Sequence, residues 1–148
     1  MSVRLRTYTP ADFEALYEID QACYEPAIAY SRRELRNYLR FPGADCVVAE
    51  ADGQIIGFCL TAHERNSGYI ITMDVLAEHR RKGVGTMLLT AAERQLAASG
   101  VRAIALETAT DNSSAIAFWQ KHGYRKCGVK KDYYPGGRDA FSMSKPLA

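Results

Sequence analysis

Tyr69–Thr86, YIITMDVLAEHRRKGVGT, is the stretch whose reading governs the rest of the chain. Its first half, Tyr69-Ile70-Ile71-Thr72-Met73-Asp74-Val75-Leu76, is a mainly apolar run that reads as a buried strand. A basic segment, Arg80-Arg81-Lys82, then leads into Gly83-Val84-Gly85 and a helix. A glycine turn that opens a helix leaves several backbone N–H groups unpaired and aimed at one spot, where the helix dipole adds partial positive charge. Glycine also lets a ligand approach closely, since no Cβ stands in the way. With three cationic side chains alongside, the pattern predicts a site for a phosphorylated ligand. It is not a Walker loop, because no Gly-x4-Gly-Lys-Ser/Thr occurs in the chain. Nor is it the dinucleotide fingerprint, since the third small residue is missing from Gly83-Val84-Gly85-Thr86-Met87-Leu88. Read alone, the loop is by default a basic turn with a glycine cap. Strand, loop, helix and downstream residues together decide for the ligand site.

The bounds set by composition agree. The 148 residues are 47% apolar and 24% charged, which suits one globular domain, expected over residues 2–148, with a core of ordinary size. A net charge of +2 is too near neutral to argue for nucleic acid, and the cationic runs Arg80-Arg81-Lys82 and Lys130-Lys131 read as a solvated face. No apolar run approaches membrane-spanning length, and the opening MSVRLRTYTPADFE has no signal-peptide core. Cys23, Cys46, Cys59 and Cys127 are scattered, so they are expected to be reduced and mostly buried in a cytoplasmic protein. Neither they nor His63, His79 and His122 show ligand spacing, and no metal is expected.

Working outward toward the N-terminus, Val3–Tyr8 alternates as a first strand, and Thr9-Pro10 reads as cap and first position of a helix burying Phe13, Leu16, Ile19 and Cys23. The segment 25–30 breaks it, and Ser31 caps a short second helix carrying Leu35, Tyr38 and Leu39. Asp45–Glu50 and Gln54–His63 are strands joined by the hairpin signal Asp52-Gly53. Asn66-Ser67-Gly68 turns the chain into the Tyr69 strand, giving an antiparallel meander.

Toward the C-terminus, Val84, Leu88, Ala92 and Leu96 form one helical stripe ending at Gly100. Val101–Glu107 is apolar nearly throughout, as a strand buried on both faces would be. A helix from Ala115 to Lys121 closes at Gly123. Tyr124–Val129 and Asp139–Ser144 are the last strands, with an aromatic and basic loop, 130–138, between them.

Arg80-Arg81-Lys82-Gly83-Val84-Gly85 after a strand and before a helix resembles the acetyl-CoA pyrophosphate loop of the GNAT superfamily of acyltransferases. The element order extends the resemblance over nearly the whole chain. It implies an α/β (α+β) fold with a mixed, mostly antiparallel sheet of about seven strands and about four helices. In that fold strands 4 and 5 splay apart to take the pantetheine arm of acetyl-CoA. The resemblance implies that backbone groups of Met73, Asp74 and Val75 pair with the pantetheine amides. It also implies that Arg80, Arg81, Lys82, Gly83, Val84, Gly85 and Thr86 hold the pyrophosphate, chiefly through N–H groups. Asn112-Ser113-Ser114-Ala115-Ile116-Ala117-Phe118-Trp119-Gln120-Lys121-His122-Gly123-Tyr124 resembles the family's Asn-x-x-Ala-x-x-Phe-Tyr-x-x-x-Gly-Phe/Tyr segment, so Asn112 and Trp119 would flank the arm and its sulfur. Trp119 stands where the family usually has the tyrosine that protonates the departing thiolate. An indole cannot give up its proton in a useful pH range. The acid role is therefore absent or moved to Tyr124, Tyr133 or Tyr134, with core packing the other reading of Trp119.

Asp20-x-x-Cys23, Tyr30-Ser31, Leu106-Glu107-Thr108 and Tyr133-Tyr134-Pro135 resemble the N-terminal alanine acetyltransferases of ribosomal proteins, although Tyr30 replaces a tryptophan. The chemistry needs a base for the amine, and Glu107 fits, ending the buried run where the cleft would open. Its structural alternative is a strand-end carboxylate paired with Arg102 or Lys126. Asp74 is the runner-up base, or else a carboxylate on the outer strand face. A strand N–H near Val75 is the expected oxyanion donor. Tyr30, Tyr133 and Tyr134 would line the acceptor groove, with Tyr133 and Tyr134 also candidates for a catalytic role. The implied partners are acetyl-CoA and an amine, from a protein N-terminus or a small molecule, without nucleic acid or membrane; such domains are often dimers. A GNAT-fold module that senses acyl-CoA without turnover is the competing reading.

Overall fold

The structure is a computed structural model describing residues 2–147, so that Ala148, the end of the expected domain, lies outside the described residues. Seven strands form one sheet: β1 (Val3–Thr7), β2 (Ala44–Ala51), β3 (Gln54–Glu64), β4 (Ser67–Val75), β5 (Ala103–Ala109), β6 (Arg125–Tyr134) and β7 (Arg138–Pro146). Their spatial order is β1-β2-β3-β4-β5-β7-β6, with β4 and β5 the parallel pair and every other contact antiparallel. Among the described residues four α-helices accompany it: α1 (Phe13–Cys23), α2 (Arg32–Leu39), α3 (Val84–Ala98) and α4 (Ser113–Lys121).

The stripes sort the helices to opposite faces. Phe13, Leu16 and Ile19 of α1 and Leu35 of α2 pack with Cys46, Val48, Phe58 and Leu60 on one face. Leu88, Leu89, Ala92 and Leu96 of α3, with Trp119 of α4, pack with Ile56, Cys59, Ile70, Ile104 and Leu106 on the other. Local signals hold where side chains act on nearby backbone. Ser31 accepts the Glu34 N–H while Glu34 takes the Ser31 N–H, a capping box that starts α2. Asp52 and Gly53 both have positive φ, as the two-residue hairpin between β2 and β3 requires.

Several boundaries differ from expectation. Pro10–Asp12 is a separate 3₁₀ turn, and α1 begins at Phe13. β5 starts at Ala103; Ile104, Leu106 and Thr108 are buried on one face, while on the other cover grows along the strand, from exposed Ala103 through half-buried Ala105 and Glu107 to buried Ala109. The supposed loop 130–138 is mostly extended strand, since β6 runs on to Tyr134, with a bulge at 131–133, and only Pro135–Gly137 turns. Cys46 and Cys59 are buried, Cys23 is half-buried and Cys127 is exposed, so the expectation of mostly buried thiols fails at Cys127. No helix among the described residues is long and apolar enough to cross a membrane.

Candidate active site

A cleft opens because β4 and β5 pair only at their starts. Their register covers Ser67–Tyr69 with Ala103–Ala105 and stops there. Immediately beyond, β4 bulges: Thr61 faces Ile70 and Leu60 faces Thr72, leaving Ile71 without a partner on β3. A bulge bends its strand and increases twist, which turns β4 away while β5 continues along β7 to Ala109. The freed carbonyls of β4 meet side chains from the end of α1 and the segment after it. Ile71 O accepts the Tyr30 hydroxyl and Met73 O the Tyr24 hydroxyl, both at 3.2 Å. Val75 O accepts Arg80 Nε at 2.9 Å and the Cys23 thiol at 3.4 Å.

Met73 and Val75 thus turn their carbonyls toward the cleft edge, but Asp74 does not. Alternation turns its carbonyl toward β3, where a Cβ on Gly57 would meet it at 2.6 Å. The Asp74 side chain is 1% exposed, neither on an outer face nor in the cleft. Burial, and Asp20 beside it, push its carboxyl well above the ordinary carboxylate range. Enclosed between helix and sheet, the Asp74 carboxyl has no access to an amine in the cleft, which disfavours the runner-up base.

At the far end of β4 the chain makes a 3₁₀ turn, Ala77–His79, and reverses into α3. Gly83 sits at φ +83 as the N-cap, and Arg81 at φ +62. No side chain caps this end and no acidic residue sits in its first turn. Arg81, Lys82 and Gly83 are exposed. Unpaired N–H groups, helix dipole and two free cations therefore converge, which fits a pyrophosphate. The N–H groups of Val84, Gly85 and Thr86 belong to this unpaired first turn, whereas some of the side chains have other contacts. Arg80 is folded back onto Val75 O, Thr86 Oγ1 lies 3.1 Å from His122 Nε2, and Gly85 belongs to the helix. A Cβ at Gly85 would come within 3.3 Å of the Phe118 ring, so that glycine serves the approach of α4 to α3. Val84 is buried beneath the loop.

Glu107 lies two residues past Ala105, the last β5 position paired to β4. Its side chain is 6% exposed. Oε2 accepts Lys130 Nζ at 3.0 Å, and Oε1 accepts the Tyr133 hydroxyl at 3.3 Å, so its partner is neither Arg102 nor Lys126. Both donors come from β6, which reaches Glu107 through a bulge. Lys130 pairs with Ala140 and Tyr134 with Arg138, so three residues oppose Asp139 alone. Asp132 takes φ +54 within that bulge and gives its N–H to Asp139 Oδ1 at 3.0 Å. Tyr133 and Tyr134 meet edge-on with centroids 4.9 Å apart. Burial, the Glu107 carboxylate and the Tyr30 and Tyr134 hydroxyls push Tyr133 well up, and burial with Glu107 pushes Tyr134 to about 12. Tyr30 is raised likewise, by burial first and by the Tyr38 hydroxyl next. The three tyrosines share one neighbourhood beside Glu107. Next to Tyr134 in the ladder, Arg138 joins Asp111, after β5, at 2.6 Å and 2.8 Å, to Glu25, after α1.

Asn112 and Trp119 are placed structurally. Asn112 Oδ1 accepts the Ala115 N–H at 3.2 Å as the cap of α4. Trp119 is 8% exposed and packs edge-on against Tyr124 in the core, centroids 5.4 Å apart, which is the packing alternative. Tyr124 is 1% exposed and donates to Glu93 Oε2 at 2.8 Å, so it is not the relocated acid. Tyr24 and Arg138, which sequence reasoning missed, carry no local motif. Lys130 was hidden in a charge run, and the Tyr133-Tyr134-Pro135 segment beside it was the available signal.

Residues 13–124 match the Acetyltransferase (GNAT) family. The chain belongs to that family. It is an N-acetyltransferase fold and an acyltransferase, and enzymes of this family use acetyl-CoA. A relative in Sulfurisphaera tokodaii, an N-alpha-acetyltransferase, is 31% identical over 113 residues, 68% of each chain. The [ribosomal protein bS18]-alanine N-acetyltransferase of Escherichia coli K12 is 26% identical over 145 residues, 93% of each chain. Among solved structures, Ard1 from Thermoplasma volcanium superposes with a TM-score of 0.91 at 24% identity, covering 100% of this chain and 99% of its own.

Proposed function

We propose that this GNAT acetyltransferase moves an acetyl group from acetyl-CoA to the α-amine of a protein or peptide N-terminus, by direct attack with Glu107 as general base. The observation that carries the reading is the setting of Glu107: nearly buried, two residues past the point where β4 and β5 part, and gripped by Lys130 and Tyr133. The names of the two relatives support the acceptor class. An α-amine, with a pKa of about 8 against about 10.4 for lysine, needs only modest help to lose its proton. Glu107 takes that proton directly or through one water.

Met73 and Val75 backbone groups bind the pantetheine arm, and the start of α3 with Arg81 and Lys82 binds the pyrophosphate. The Val75 N–H is the oxyanion donor. Tyr30, Tyr133 and Tyr134 wall the acceptor's first residue. The departing thiolate needs no protein acid. A thiol titrates near 8.5, so taking a proton from Tyr134, at about 12, would be uphill by roughly three to four units.

Thiol release from acetyl-CoA over a panel of Ala-starting peptides and small amines tests the reading. Turnover is expected on the peptides. Turnover on small amines alone would move the acceptor class, and tight acetyl-CoA binding with no release on any acceptor would favour a sensing module.

A further inference from the structure

Asp20, in the last turn of α1, and Asp74, on β4, are each 1% exposed and stand within hydrogen-bonding reach between helix and sheet. Asp20 Oδ2 accepts the Tyr30 N–H at 2.8 Å, and Asp74 Oδ1 accepts the Thr72 hydroxyl at 2.7 Å. The remaining oxygens, Asp20 Oδ1 and Asp74 Oδ2, are buried and have no partner. Two ionised carboxylates in that position would each leave an unsatisfied lone pair and repel one another. One proton removes both faults, if Asp74 Oδ2–H donates to Asp20 Oδ1. The charge then rests on Asp20, where it strengthens the bond from the Tyr30 N–H.

We propose that Asp20 and Asp74 share a single proton as an acid–carboxylate pair, and that this pair latches the segment 24–30 against β4, making both of them positioning residues for the acceptor. The segment carries Tyr24 and Tyr30, whose hydroxyls lie on Met73 O and Ile71 O at the cleft edge. The proposal rests on the reading that Tyr30 lines the acceptor site. The direction of the Asp74 shift, upward through burial and Asp20, agrees with it.

The groups facing the pair offer no spare charge to stabilise a second anion. Cys23, Tyr24 and Tyr30 face it from α1 and the segment beyond, Thr72 from β4, and Cys59 and Cys46 from β3 and β2; burial pushes the thiols and phenols upward, so they stay neutral. Arg80, the cation on this side, is engaged by Val75 O and Cys23. Loss of the shared proton at alkaline pH therefore separates the pair and releases the segment.

Infrared difference spectroscopy on the free full chain, with kinetics on an Ala-starting peptide, tests the latch. At neutral pH the wild type is expected to show the carbonyl stretch of a protonated carboxylic acid, and Asp74→Asn to lack it. Asp74→Asn keeps a donor toward Asp20, so its acceptor KM stays near wild type at neutral pH but loses the alkaline rise. Asp20→Ala frees the Tyr30 N–H and raises the acceptor KM about tenfold, the loss of one hydrogen bond to a charged group, with the KM for acetyl-CoA unchanged. Absence of the protonated band in wild type, or its survival in Asp74→Asn, would overturn the proposal. The spectroscopic arm uses no acceptor and stands or falls apart from the acceptor assignment.

Discussion

Lys130 and Tyr133 reach Glu107 from a strand that bulges, and the two contacts differ in kind. Lys130 supplies charge at 3.0 Å, whereas Tyr133 is a neutral donor at 3.3 Å whose loss costs about 0.5–1.5 kcal/mol. Tyr133→Phe is therefore expected to lower kcat/KM by roughly two- to tenfold in steady-state assays, with acetyl-CoA binding intact. Tyr124→Phe should behave oppositely. It removes a hydrogen bond to Glu93, which keeps Lys145 at 3.0 Å, so stability falls by roughly 1 kcal/mol in urea titrations while turnover stays at wild type. Retained turnover also tests the exclusion of Tyr124 as the acid. At this scale the sequence revealed Glu107, because a carboxylate near the end of an apolar run is conspicuous. Its partners were not legible, since Lys130 reads like any residue of a basic run until the bulge is known. Asp74 was misjudged because only Asp20, more than fifty positions earlier, explains its burial.

Among the elements, β3 and β4 decide the shape of the cleft. Gly57 lies where the Asp74 carbonyl comes closest, and a methyl there would stand 2.6 Å from a backbone oxygen that cannot swing aside. Gly57→Ala is expected to destabilise by roughly 1–3 kcal/mol, read as a lowered thermal midpoint, and to weaken acetyl-CoA binding because Met73 and Val75 shift with the strand. Capping residues and the Asp52-Gly53 hairpin made α2, β2 and β3 legible from local chemistry. The length of β6 was not legible. Arg125–Tyr133 is exposed residue by residue on an edge strand, so it lacks the alternation that one buried face imposes.

Across the whole molecule, pH acts through two kinds of carboxyl. Arg6 on β1 grips Asp12 at 2.8 Å and Glu50 at 2.8 Å, tying the first strand to the entry of α1 and to β2. The Arg6 guanidinium holds Asp12 down at about 2. A lowered carboxyl contributes stability above its unfolded value, lost as pH falls through about 2. The gap in urea midpoint between wild type and Asp12→Asn should accordingly narrow as pH is taken from about 5 to about 2. Asp74 has the opposite sign: raised, it stabilises fully below its unfolded value, and that contribution is lost as pH rises through its folded value. The meander of β2, β3 and β4 was legible from its turns, whereas nothing in the periodicity of β6 or β7 told that β7 lies between β5 and β6. The central claim, that Glu107 is the base of an N-terminal acetyl transfer, is tested most directly by comparing Glu107→Gln with wild type for thiol release on an Ala-starting peptide, with acetyl-CoA affinity measured by calorimetry in both. A fall in kcat of about 10²–10⁴ with unchanged affinity is the predicted result, and equal turnover by the two proteins would contradict it.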